Sequence, residues 1–443
     1  NTSELDKYKV DHLFLLIGEN PLPNYVAAKT LLKKGGKPYL IFTEHTDKPA
    51  ERLQEALDLE LSDEEMVTLD NNESNSYEIK NKIREKVQEL QDKYPEKKHF
   101  GLNYTGGTKA MAVHAYQALL QPRLKEPTDK LNPEPIFSYL DSRQLRMLID
   151  QTTNPVPLDI PKELLDLSLS KLFKLHGFTL SKAPKTEVTL GNLVGAIVKH
   201  NAEWQNWCSK VLRLEARKKI ELGEVKLANN EIEKIVELNN WRNATELRRL
   251  ALPIQDLSEE INNVMKQNNL VDSNECLSIQ QIEQTGIIPK PKETKKYPQE
   301  ICKWLEGVWL EDYVLQQLEK IKTECSINEI GMSFDFKKEY NVAEFEFDIA
   351  FLRGYQLFAI SCTTDTKPGL GKFKLFEAHR RAKQIGGDEA RVALVCFCCS
   401  GNTKKIKKDF LAQVNDPKVQ VFGLADIVTL SESLKDWIQE VDA

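Results

Sequence analysis

GLNYTGGTKAMA, Gly101 to Ala112, closes an apolar segment and opens a helix-competent one. Gly106 and Gly107 let the backbone turn tightly and approach a ligand, because neither has a side chain to fill the space. Thr105 and Thr108 add hydroxyls, and Lys109 adds a mobile positive charge. A helix starting here leaves N–H groups free, and its dipole favours an anion, so a phosphate-bearing ligand fits the junction. The same residues also suit a plain threonine-capped turn. The GxxxxGK[ST] spacing of a nucleoside-triphosphate loop is not met, since Lys109 follows Thr108 and precedes Ala110. A second loop favours the ligand reading. GENPLPN, Gly18 to Asn24, leaves the apolar run HLFLLIG at the point where open α/β sheets place their ligands.

Working outward, strand-like and helix-like segments alternate up to about Ile149. HLFLLIG, Lys37–Thr43 and PIFSYLDS read as strands, and YVAAKTLLKKGG and the charged run Tyr77–Tyr94 as helices. That alternation predicts a parallel sheet covered on both faces. QTTNPVPLDIP, Gln151 to Pro161, holds three prolines and reads as a boundary. A helical or mixed region follows, and PKPKETKKYPQE, Pro289 to Glu300, reads as a second linker. The expected division is 1–150, 151–298 and 299–443, with a last part that starts in an amphipathic helix and continues as an α/β unit.

Composition narrows the classes. With 443 residues, 41% hydrophobic and 29% charged, the chain is a multi-domain folded protein. A formal net charge of -6 argues against general binding to duplex DNA or to an acidic membrane, while permitting a local basic pocket. No run is long and apolar enough for a membrane span, and Glu4, Asp6 and Asp11 stand where a secretory signal would be greasy, so the expected location is the cytoplasm. The eight cysteines show no zinc spacing and read as reduced core residues.

EFEFDIAFLRG, Glu344 to Gly354, alternates strictly, so that Glu346 and Asp348 share one face of a strand. Two such carboxylates can hold a hard cation, Mg²⁺ or Mn²⁺, or can be the solvated face of an edge strand. GKFKLFEAHRRAKQIGGDEAR concentrates Lys372, Lys374, His379, Arg380, Arg381, Lys383 and Arg391, a set that would counter phosphate charge or would face solvent.

LLIGENPLPNYVAA with NYTGGTKAM resembles the CARF domain, the ligand sensor of type III CRISPR defence systems. The resemblance implies a Rossmann-like domain that binds a cyclic oligoadenylate, such as cyclic tetra-adenylate, across a homodimer. It points to Gly18, Glu19, Asn20 and Asn24 in the first loop, and to Asn103, Thr105, Gly106, Gly107, Thr108 and Lys109 in the second. A mononucleotide would suit the same kind of anion site. WLEGVWLEDYV, EFEFDIAFLRG, YQLFAISC and the Lys372–Arg391 region resemble the CARF-linked accessory nucleases, which implies a C-terminal PD-(D/E)xK-like α/β domain. Asp348 matches that family's first carboxylate, with Glu346 beside it, and Glu306 or Glu311 its helical acid. Ser361 and Thr363 stand where the family's Glu and Lys are expected. Asp365 is a displaced carboxylate that would serve as a metal ligand with Glu306 and Asp348. Lys374, Lys372 or Lys367 would return the missing cation, and Glu377 would support Lys374. The function implied is a metal-dependent nuclease acting on single-stranded RNA or DNA and switched on by the cyclic nucleotide. The alternative is a sensor whose altered nuclease domain binds a partner.

Overall fold

The computed structural model describes residues 2–58, 62–122, 130–142, 144–226, 232–338 and 345–441. Its first sheet has seven strands in the order β3-β2-β1-β4-β5-β6-β7. These are β1 (Val10–Leu16), β2 (Leu32–Phe42), β3 (Met66–Thr68), β4 (Phe100–Asn103), β5 (Ile136–Asp141), β6 (Arg146–Ile149) and β7 (Val156–Asp159). β1 to β5 pair in parallel, whereas β6 and β7 are added antiparallel. From Leu13 to Leu16 β1 is apolar because both its faces are covered. Leu13 and Leu15 join one core cluster, and Phe14 and Leu16 join another on the opposite face. The helices Leu22–Leu31, Ser76–Lys93 and Lys109–Leu120 supply that cover.

The sheet runs past the proline-rich stretch read as a boundary. Val156–Asp159 is its edge strand, and an edge tolerates Pro157 because an N–H on the outer side has no partner to lose. The second sheet has six strands in the order β17-β16-β15-β14-β13-β8. β8 (Phe178–Leu180) comes from the region read as the middle part and pairs antiparallel with β13 (Glu329–Lys338). β14 (Phe345–Arg353) and β15 (Gln356–Thr363) continue the antiparallel half. β16 (Arg391–Cys396) and β17 (Gln420–Phe422) are parallel to β15.

Between β8 and β13 lie helices and two antiparallel strand pairs, β9 (Lys219–Lys226) with β10 (Ile232–Asn239) and β11 (Ala251–Pro253) with β12 (Cys276–Ser278). The Trp204 and Trp207 side chains of this segment share one core with Trp309, Ile349 and Phe358 of the C-terminal unit. Asp312, fully buried, ties the two together: it accepts from the Thr189 N–H and Lys185 Nζ at 2.6 Å each and from Trp304 Nε1 at 2.8 Å. A second core cluster joins the two sheets, since Leu15 and Tyr25 of the first unit share it with Phe334, Leu357 and Leu375 of the last. The VFGLADIVTL segment read as a strand is extended only over Gln420–Phe422, and the chain continues into a helix, Leu430–Glu440, that buries Trp437.

Candidate functional site

Two cavities carry the chemistry. The first, about 530 Å³, opens at the C-terminal ends of β1 and β4. Gly18, Glu19, Asn20, Thr105, Gly106 and Gly107 line it, which brings together six of the residues expected at a nucleotide site. Gly106 is obligatory here: a Cβ would lie 2.2 Å from the Leu16 carbonyl oxygen. Asn24 and Asn103 are fully buried beneath the loops. Asn24 Nδ2 donates to the Leu16 carbonyl at 3.0 Å, and Asn103 Nδ2 donates to Ser138 Oγ at 3.1 Å. Thr105 Oγ1 accepts from the Leu140 N–H at 2.7 Å and fixes the loop to β5. Thr108 caps the Lys109–Leu120 helix, accepting from the Met111 N–H at 3.1 Å, and Lys109 stands exposed at the helix start. Of the residues that the resemblance points to, Asn24 and Asn103 are buried beneath the loops, and Thr108 and Lys109 are exposed at the helix start, outside the cavity lining.

The far wall of this cavity belongs to the other unit. His176, Lys383, Gly387 and Glu389 complete it. Asn20 Nδ2 donates to Glu389 Oε2 at 3.3 Å, and Asn20 Oδ1 lies 3.2 Å from His176 Nε2. Burial pushes the His176 imidazole down to about 4, and raises the Glu389 carboxyl above its ordinary value. No spacing pattern links residues 369 positions apart, so this wall was invisible in the sequence.

The second cavity, about 350 Å³, is bounded by Glu346, Asp348, Ser361, Lys374, Glu377 and Arg381, among others. Asp348 Oδ2 accepts from Ser361 Oγ at 2.9 Å and from the Cys362 N–H at 2.7 Å. Lys374 comes from the long helix Pro368–Gly386 and donates to the Cys362 carbonyl at 2.9 Å. Its ammonium therefore stands at the end of β15, where the strand itself carries the uncharged Thr363. Arg381 stacks its guanidinium 4.3 Å above the Phe345 ring at the cavity wall.

Of the two helical acids, Glu311 is the one beside Asp348. Its carboxyl is raised well above the ordinary value, first by burial and then by the Asp348 charge. Glu306 sits in a wide turn, Trp304–Val308, and gives both its oxygens to Arg217, at 2.5 and 3.0 Å. That engagement corrects its expected place among the metal ligands. Asp365 is also displaced. Its Oδ1 accepts from the Lys367 N–H at 2.6 Å in the turn after β15, and the Thr363 hydroxyl accepts from the Asp365 N–H at 3.2 Å. Neither Thr363 nor Asp365 lines the cavity. Much of the basic run is spent on structure, because His379 and Lys383 pair with Asp416, Lys372 pairs with Asp409, and Arg391 is buried.

Among the described residues no group of three His, Cys, Asp or Glu side chains forms a metal cage. The donor set nevertheless fits a hard divalent ion that keeps most of its water. Asp348 and Glu311 repel one another in a recessed site, and the Cys362 thiol is pushed up by burial and by both carboxylates. A hard cation bound there would displace the proton that burial favours on Glu311.

Residues 13–122 match the family described as the Card1 CARF domain. Two solved structures share the fold over nearly the whole chain. Can2 from Sulfobacillus thermosulfidooxidans, in complex with cyclic tetra-adenylate, has a TM-score of 0.64 at 17% identity, covering 97% of this chain and 99% of that one. Protein VC1899 from Vibrio cholerae has a TM-score of 0.67 at 14% identity, covering 97% and 98%. A search of curated proteins finds no match. No helix among the described residues is long and apolar enough to cross a membrane.

Proposed function

We propose that the chain is a metal-dependent nuclease of type III CRISPR defence, switched on by a cyclic oligoadenylate. The observation that carries the nuclease reading is the meeting of Asp348, Ser361 and Lys374, with Glu311 beside them, in one recessed cavity. The sensing reading rests on the CARF match of residues 13–122 and on the glycine-lined cavity, and the shared fold with a structure that holds cyclic tetra-adenylate supports it. In a homodimer, each chain would supply half of the site for a symmetric ring.

Asp348 and Glu311 would hold Mg²⁺ or Mn²⁺, which when bound polarises a phosphodiester and acidifies a water. Ser361 fixes the Asp348 carboxylate by its hydrogen bond. Lys374 neutralises charge on the attacked phosphate. Arg381, held flat on Phe345, grips a neighbouring phosphate of the strand. The acidic chain offers no broad face to a duplex, so single-stranded RNA or DNA is the substrate class.

Ser361 and Thr363 in place of Glu and Lys also favour a second reading, a sensor that recruits a partner without cutting. Labelled single-stranded RNA and DNA, incubated with Mn²⁺ with and without cyclic tetra-adenylate, separate the two. The nuclease reading expects stimulated cleavage that falls by about 100-fold or more in Asp348→Asn and Glu311→Gln and survives in Glu306→Gln. Binding of the cyclic nucleotide with no cleavage under any metal supports the second reading instead.

A further inference from the structure

The sensor cavity and the nuclease cavity are connected by one helix within a single chain. Pro368–Gly386 carries Lys374 and Glu377 into the nuclease cavity, and its C-terminal end delivers Gly387 and Glu389 to the wall of the sensor cavity. Twelve residues of helix separate Lys374 from Gly386, a rigid span of about 18 Å. Leu375, Ala378, Ala382 and Ile385 are buried along it, packed in the same core cluster as Leu357 and Ala359 of β15, the strand that carries Ser361 and Cys362 near its end. A displacement at one end is therefore carried to the other, because a close-packed helix moves as a body.

The contact at the sensor end is close and weakly bonded. Gly387 has φ +73, and a Cβ there would meet Asn20 Oδ1 at 2.7 Å, so the helix terminus touches the Asn20 loop through bare backbone. Asn20 holds three hydrogen-bond contacts, to the Leu22 N–H, His176 Nε2 and Glu389 Oε2, all between 3.2 and 3.3 Å, the long end of the range. They are also mutually frustrated. A neutral imidazole has one N–H, whereas His176 faces two acceptors, the Leu172 carbonyl and Asn20 Oδ1. The Asn20 amide is thus easily exchanged to a better partner. A phosphodiester seated on the Gly106–Gly107 turn would compete for Asn20 and repel Glu389 and Asp388, both of which face the cavity.

Resting on the nuclease reading above, we infer that the activator site is composite within one chain: Gly387 and Glu389 at the end of the long helix form part of its wall, and the Asn20–Glu389 contact is the latch that a bound cyclic oligoadenylate opens to shift that helix and Lys374 with it. The ligand does this only by binding the unlatched arrangement more tightly.

Hydrogen exchange on the full wild-type chain, with and without cyclic tetra-adenylate, tests the latch without any variant. Exchange is expected to change together at 386–390 and at 372–378 when the nucleotide binds. Changes confined to the loops 18–20 and 105–109, with the long helix unaltered, overturn the inference, as does an absence of binding. Glu389→Ala provides a second readout. Opened without ligand, it should show the bound-state exchange pattern in the helix and raise ligand-free cleavage about fivefold or more. A variant that keeps wild-type exchange and a full response to the nucleotide overturns the latch. The two readings separate cleanly: coupled exchange without cleavage leaves the latch standing and removes the nuclease, whereas stimulated cleavage with a still helix does the reverse.

Discussion

Lys374 Nζ donates to the main-chain carbonyl of Cys362 at 2.9 Å, so a lysine borne on a helix reaches the end of β15 where the strand itself offers only the Thr363 hydroxyl. Charge and position are thereby separated in sequence but reunited in space. The cation lines the cavity that holds Asp348 and acts on the Glu311 carboxyl.

The proposed role of Lys374 can be tested by moving the charge onto the strand. Lys374→Ala is expected to lower metal-dependent cleavage by about 100-fold, the usual loss when one charge-stabilising donor is removed. Thr363 lies two residues after Ser361 and on the same face of the strand, so Thr363→Lys in the Lys374→Ala background should restore about tenfold of that activity. Single-turnover cleavage rates of the two variants decide the matter. A double variant no better than Lys374→Ala, or a Lys374→Ala chain as active as wild type, would deny Lys374 this role.

The elements most legible in the sequence were those whose residues serve one purpose. HLFLLIG reads as a buried strand, and Phe14 and Leu15 enter opposite cores. Gly106 announced a close backbone approach, and Asp348 announced itself by strict alternation. The failures came where a residue's partner is remote. Glu306 and Glu311 lie five apart in one amphipathic stretch, and nothing local says that Arg217, 89 positions earlier, captures the first. Pro157 looked like a break because an edge strand and a linker share the same tolerance for proline. Asn103 has the composition of a ligand contact, yet its amide is consumed inside the sheet by Ser138.

Gly106→Ala separates shape from charge at the proposed nucleotide cavity. The added methyl group would sit 2.2 Å from the Leu16 carbonyl oxygen, against backbone that cannot yield without moving β1. A loss of about 1–3 kcal/mol in urea denaturation is expected, the cost of overpacking, together with weakened binding of cyclic tetra-adenylate. Lys109→Ala should weaken binding while leaving the unfolding midpoint alone, because Lys109 is exposed. Equal stability for Gly106→Ala and wild type would contradict the tight approach of the two loops.

His176 gives the fold a dependence on acid. Its imidazole titrates at about 4 in the folded chain against an ordinary value of 6.5, held neutral chiefly by burial and further by the charge on Arg52. The unfolded chain therefore binds the extra proton first as pH falls. The stabilisation is complete above 6.5, declines as pH drops through that value, and is gone below about 4. Because the ring borders an open cavity, about 2 kcal/mol is a fair magnitude for the whole effect. His176→Gln keeps an amide beside Asn20 but cannot be protonated in this range. Its unfolding free energy should change less than that of wild type between pH 7.5 and pH 4.5, measured by urea titration at each pH. Parallel pH profiles for the two chains would mean that the ring is solvated in the folded state, and that the wall it forms with Asn20 is open to water.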